Sequence, residues 1–169
     1  MSFIEVIDNF LSKENFEWFL KFATKQAPYW AGAKDNIYSI PTGMVSNVKL
    51  NSEPVQWFKE KLNFDNLKVC EAYINCFAPG ENPYFHTDRK DGITVLYYLN
   101  DKWDKDDGGE TQFLVDDEIR GIVPIPNRIV YFDANIQHRA TSFRKSHRFT
   151  FALKYGKLNE KPLPWSGES

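Results

Sequence analysis

The chain has 169 residues, 42% of them apolar and 16% aromatic, enough to bury a sizeable core and to exclude intrinsic disorder. A net charge of −2 supplies no basic field of the kind that nucleic acid or an anionic membrane attracts. The two cysteines, Cys70 and Cys76, form neither a disulfide framework nor a zinc-binding CxxC pair, so they read as reduced thiols. No basic-then-apolar segment follows Met1 and no apolar run approaches membrane-spanning length, so the expected location is the cytoplasm, with no membrane partner.

"FIEVIDNFL" alternates loosely and predicts a short entry strand. Ser12 then predicts the N-cap of a helix through "KENFEWFLKFATKQA", where Phe16, Phe19, Leu20 and Ala23 recur at helical spacing. Residues 28–43 read as a loop or edge strand, punctuated by Pro28, Gly32, Pro41 and Gly43. A second helix is predicted over "SEPVQWFKEKL", with Ser52 as cap and Pro54 in the first turn, where proline is tolerated. From Leu67 the period changes to two. "LKVCEAYINCFA", "GITVLYYLN", "ETQFLV", a short piece of "DDEIRGIVPIP", "RIVYFD", "NIQHRATSF" and "RFTFALKY" read as strands separated by turns. "DDGG" (Asp106–Gly109) is a tight turn whose glycines supply positive φ. Two helices followed by seven or eight short strands predict an α+β, mainly β fold: a double-stranded β-helix, or jelly roll, with the N-terminal helices packed on one face. The expected organisation is one domain over 1–169, with a helical support region (1–66), a jelly-roll core (67–156) and a polar, proline-containing tail (157–169).

The chain has only three histidines, His86, His138 and His147. His86 and Asp88 are two apart and share a strand face, so imidazole and carboxylate converge. With His138 they make two imidazoles and a carboxylate, the facial triad that holds non-haem Fe(II) and leaves positions open for other ligands. His-x-Asp is common by chance, and a surface turn is its ordinary reading. Arg148 sharpens it. An arginine inside the apolar strand "RFTFALKY" must be paired or it is costly to bury, and its planar fork fits a carboxylate. A metal triad with such an arginine nearby reads as a site for a dicarboxylate chelator. His147 faces the other way and reads as structural or exposed.

"YFHTD", "VLYYLNDKWDKDDGGETQF", "IVYFDANIQHRA" and "HRFTFALKY" resemble, in order and spacing, the Fe(II)- and 2-oxoglutarate-dependent dioxygenases, specifically their prolyl 4-hydroxylase-like branch, over residues 67–156. The resemblance implies His86, Asp88 and His138 as iron ligands and Arg148, with Tyr98, as partners of the distal carboxylate of 2-oxoglutarate. It implies Fe(II), 2-oxoglutarate and dioxygen as cofactors, with ascorbate as an optional reductant. Thr94, Leu96 and Tyr98 share the face that lines the barrel, with Leu96 expected beside the cosubstrate. Two positions depart from the pattern. Phe77 stands where the animal oxygen-sensing members place a second cosubstrate tyrosine, so Tyr73 and Asn75, on the same face, are expected to supply the polar contact. Lys154 stands where the branch usually has tryptophan. Alternation from Arg148 puts it inward, and it is expected at the mouth of the site, where it would meet an acidic group of the substrate. Trp103 is expected as a loop anchor, with substrate contact as the alternative, and Thr111 as a neighbour that touches the site indirectly. The implied activity is hydroxylation of an unactivated C–H bond, in first place of a prolyl residue in a peptide or protein. The alternative is a free amino acid or other small metabolite. Demethylation of nucleic-acid bases is disfavoured by the acidic balance, and a non-catalytic binding module by the intact His86, Asp88, His138 and Arg148.

Overall fold

Side chains that alternate between two environments along one long strand organise the molecule. A computed structural model describes residues 3–32 and 41–159. In chain order the elements are β1 (Ile4–Ile7), α1 (Lys13–Lys21) continuing as a π-helical turn (Phe22–Gln26), β2 (Trp30–Ala31), β3 (Met44–Asn47), α2 (Glu53–Lys61), β4 (Leu67–Phe77), β5 (Ile93–Tyr98), β6 (Thr111–Val115), β7 (Glu118–Ile122), β8 (Ile129–Asp133), β9 (His138–Arg139) and β10 (Arg148–Lys157). All pairings are antiparallel. The major sheet runs β1-β8-β5-β10-β4-β3-β2 and the minor sheet β7-β6-β9. This is the expected mainly β jelly roll with helices on one face.

The central strand β10 is buried on both sides. Phe151, Leu153 and Tyr155 face the helices and join Phe19, Ala23, Val55, Phe58, Val95 and Tyr97 in the larger core. Phe151 meets Phe19 edge-on at 4.8 Å between ring centres, and Phe58 meets Tyr97 at 5.0 Å. Each fully buried ring of this kind contributes about 1.5–3 kcal/mol. The opposite face carries Leu96, Tyr98, Val130, Phe132 and Ala152, packed against Phe113 and Ile136 from the minor-sheet side. The same alternation leaves Arg148, Thr150 and Lys154 on this second face.

Three local readings change. The first helix does not run regularly to its end: the Thr24 hydroxyl donates to the Leu20 carbonyl at 2.7 Å, and the chain closes with Ala27 N–H donating to Phe22 O. A hydroxyl that bonds back to that carbonyl competes with the regular ladder. Ser12 caps α1 by accepting the Asn15 N–H at 3.1 Å, whereas the Ser52 hydroxyl is buried and makes no cap bond to α2. β3 has no clear alternation of its own and is defined by its pairing with β4. The stretch 33–40 and the tail from residue 160 lie outside the described residues.

Candidate active site

Three strands build the floor. Antiparallel register places Glu71, Lys154 and Thr94 in one row across β4, β10 and β5. The next rows are Tyr73, Ala152 and Leu96, then Asn75, Thr150 and Tyr98, then Phe77 and Arg148. A bulge between Lys154 and Tyr155 ends this regular stretch. A cavity of about 550 Å³ opens over the floor, reaching the rim at Trp30.

The chain segment before β5 crosses above the first row. His86 N–H donates to His138 O at 3.1 Å and His138 N–H to His86 O at 2.9 Å, so the two histidines are backbone partners. Each ring is oriented by the same device. His86 Nδ1 lies 3.0 Å from Tyr84 O, and His138 Nδ1 lies 2.9 Å from Ile136 O. A carbonyl there calls for the proton on Nδ1 and puts the ring's lone pair on Nε2. Both Nε2 atoms point at Asp88: His86 Nε2 is 3.6 Å from Oδ1 and His138 Nε2 is 3.3 Å from Oδ2. One donor atom from each of the three residues falls within 4.8 Å of the others, a cluster that could hold a metal ion. Phe132 packs on the buried His138 ring, 4.7 Å between centres.

Asp88 Oδ2 accepts the Thr94 hydroxyl at 2.5 Å and the Lys154 ammonium. Burial pushes the Asp88 carboxyl upward, but Lys154 and His138 outweigh it and hold it well below the usual carboxylate range. Burial likewise opposes the charge on Lys154, and Asp88 and Tyr73 hold that ammonium protonated above its ordinary range. This corrects the expected place of Lys154. It faces inward as alternation requires, but it is only 5% exposed and its ammonium is engaged by Asp88, not presented at the mouth. Alternation gives the direction of a side chain at its root; a four-carbon stem can end one strand away.

At the other end of the floor Arg148 is 1% exposed. Its Nε–H donates to Gly109 O at 2.8 Å, one terminal nitrogen to Thr150 Oγ1 at 2.8 Å and the other to Thr111 Oγ1 at 3.0 Å. All three acceptors are neutral, and no carboxylate among the described residues pairs with it. Burial pulls its pKa down, partly offset by Tyr98 and Glu110, yet a guanidinium stays charged at neutral pH. A buried cation bordering a cavity without an anion is fitted to a ligand carboxylate. Gly109 has φ +80°, and a Cβ there would stand 2.3 Å from the Phe143 ring, so only glycine presents this carbonyl to Arg148.

The other expected site residues distribute as follows. Tyr98 is fully buried; its hydroxyl is hydrogen-bonded to Thr111 Oγ1 at 2.8 Å, so it borders the cavity through Thr111. Tyr73, Asn75 and Leu96 line the cavity, and burial pushes the Tyr73 phenol up to about 12. Trp103 is not among the residues that line it, and its Nε1–H donates to Gly108 O at 2.9 Å. Thr94, Thr150 and the Gly109 carbonyl were not singled out by residue type. Strand alternation signalled the two threonines; nothing in the sequence signalled the carbonyl.

The family model described as the 2OG-Fe(II) oxygenase superfamily matches residues 72–155, the span that supplies the triad, Tyr98 and Arg148. The chain belongs to that superfamily. The oxygenase is therefore an enzyme that uses Fe(II), 2-oxoglutarate and dioxygen. Its fold is shared with solved structures of low identity. A prolyl hydroxylase from Trichoplax adhaerens, in complex with a hypoxia-inducible-factor oxygen-degradation-domain peptide, aligns with TM-score 0.72 at 18% identity over 91% of this chain and 83% of that one. A prolyl-4-hydroxylase from Pseudomonas putida aligns with TM-score 0.70 at 15% identity, covering 92% and 93%. HygX from Streptomyces hygroscopicus, with nickel and 2-oxoglutarate bound, aligns with TM-score 0.69 at 10% identity, covering 94% and 84%. No curated protein sequence matches the chain. The residues present fit both groups. Two imidazoles that turn Nε2 toward an ionised carboxylate are, with it, a donor set for Fe(II), and the guanidinium of Arg148, which pairs with no carboxylate among the described residues, suits one end of a dicarboxylate. Among the described residues no helix is long and apolar enough to cross a membrane.

Proposed function

We propose that the oxygenase hydroxylates a prolyl residue of a peptide or protein, with His86, Asp88 and His138 as iron ligands and Arg148 as the partner of the distal carboxylate of 2-oxoglutarate. The observation that carries the cosubstrate assignment is Arg148, buried beside the cavity with only neutral acceptors. The substrate assignment is supported by the fold shared with prolyl hydroxylases, one of them holding a peptide, and by the "YYLN" motif running off the end of β5 and the "GGET" motif leading into β6. A cytoplasmic setting agrees with two buried cysteines, Cys70 and Cys76, that form no disulfide.

Fe(II) at the triad supplies the oxidising chemistry in which 2-oxoglutarate, dioxygen and R–H become succinate, carbon dioxide and R–OH. The chain itself positions the reactants. Carbonyls of Tyr84 and Ile136 hold the two imidazoles with Nε2 inward. Arg148, steadied by Gly109, Thr150 and Thr111, fixes the cosubstrate's far end, with Tyr98 behind Thr111. Phe77 and Leu96 give that compartment apolar walls. No side chain acts as a nucleophile in this scheme. Trp30, about half exposed at the rim, is placed to meet a substrate entering from the β2–β3 edge.

A second reading, a free amino acid or other small metabolite, is favoured by the cavity's size. About 550 Å³ falls within the roughly 300–1,000 Å³ of small-molecule sites. One screen separates the two. Proline-containing peptides and free amino acids are incubated with Fe(II) and 2-oxoglutarate and read by mass spectrometry for a gain of one oxygen coupled to succinate. A modified prolyl residue in a peptide supports the first reading. Oxygen gain confined to small metabolites replaces it with the second.

A further inference from the structure

The first row of the floor contains a buried ion pair that the reaction scheme does not use. Lys154 and Asp88 have side chains only 6% and 9% exposed, and the ammonium bonds to Oδ2 of the carboxylate, not Oδ1. The Thr94 hydroxyl donates to the same Oδ2 at 2.5 Å. Both donors come from adjacent strands of one row, β10 and β5, so their convergence on one atom is built into the sheet. Oδ2 is nevertheless close to the other donors, 3.3 Å from His138 Nε2, while Oδ1 faces His86 Nε2 at 3.6 Å. With nothing to occupy it, Oδ2 would be a second oxygen within reach of a metal at the triad.

We propose that Lys154 is a positioning residue that reserves one oxygen of Asp88: with Thr94 it occupies Oδ2, so a metal at the triad takes Oδ1 alone and the remaining coordination positions stay open for cosubstrate and dioxygen. The inference rests on the metal assignment above. A carboxylate free at both oxygens can bind in two-toothed fashion and fill one of those positions. Lys154 also supplies a balancing positive charge, which keeps the buried carboxylate in place before a metal arrives. The same charge repels the metal. A partner that only orients a ligand loses about 10- to 100-fold in metal affinity when it is removed. A partner that withholds an oxygen and repels the cation has the opposite sign.

The test uses Co(II) as the probe, because its visible spectrum reports coordination number, on the full chain and on Lys154→Met and Thr94→Val. Lys154→Met keeps the buried stem's volume. The expected result is Co(II) binding tighter in Lys154→Met by about tenfold, at the low end of what outer partners of a metal typically change, together with a shifted visible spectrum. Thr94→Val should move both readouts in the same direction by less, and it carries the test if Lys154→Met does not fold. Weaker Co(II) binding, or an unchanged spectrum with unchanged affinity, overturns the proposal and leaves Lys154 an orienting or purely structural partner. A wild-type protein that takes no Co(II) at the triad defeats the metal assignment itself, and the proposal with it.

Discussion

Arg148 is the residue whose chemistry is most exposed to test. Removing its side chain takes away a charged, two-pronged partner of the cosubstrate, which should cost about 2–4 kcal/mol of 2-oxoglutarate binding. Apparent affinity of Arg148→Ala, measured by titration of the metal-loaded protein, should fall about 30-fold or more. Tyr98→Phe should cost less, about 1 kcal/mol, because its hydroxyl reaches the site through Thr111. Equal losses in the two variants would mean that Tyr98 touches the ligand itself. Arg148 was legible in the sequence because a charge in an apolar strand demands a reason. Lys154 was legible as inward-facing but not in its partner, since contact with Asp88 depends on where a flexible stem ends. Trp103 satisfies its N–H locally, as a loop indole close to a glycine turn can.

The strands divide labour between their faces. On β10, Phe151 is fully buried against Phe19 and Phe58, while its neighbours Thr150 and Ala152 face the site. Phe151→Ala should therefore destabilise the fold by about 3–5 kcal/mol in urea unfolding. At a temperature where the variant stays folded, its affinity for 2-oxoglutarate should match wild type. A loss of affinity equal to that of Arg148→Ala would show that the two faces are not independent. The long strands were legible because their inward and outward sets differ in chemistry: Arg148, Thr150 and Lys154 against Phe149, Phe151 and Leu153. β3 was not, because four residues, two facing each way, give too short a pattern to read. The π-helical turn was hidden for a different reason: a threonine back-bond competes with the regular helix without changing the apolar spacing.

Across the whole molecule, the segment before β5 is tied to the minor sheet where the His86 and His138 backbones pair, so the metal donors sit at a seam that backbone hydrogen bonds already hold together. The core on the helix side involves neither histidine. His86→Ala and His138→Ala should thus lose metal while keeping wild-type far-ultraviolet circular dichroism, and a variant that unfolds would show the triad to be structural. The overall architecture was readable because the motifs keep their order and spacing along residues 67–156, although the three metal donors come from two separate segments that only folding brings within 4.8 Å. The decisive measurement is an anaerobic titration of the protein with Fe(II) and 2-oxoglutarate, followed by visible absorbance. The site described here predicts the weak charge-transfer band of a chelated keto acid on iron, present in wild type, lost in His86→Ala and His138→Ala, and requiring more 2-oxoglutarate in Arg148→Ala. Wild-type protein that shows no such band, or a band that survives loss of either histidine, would contradict it.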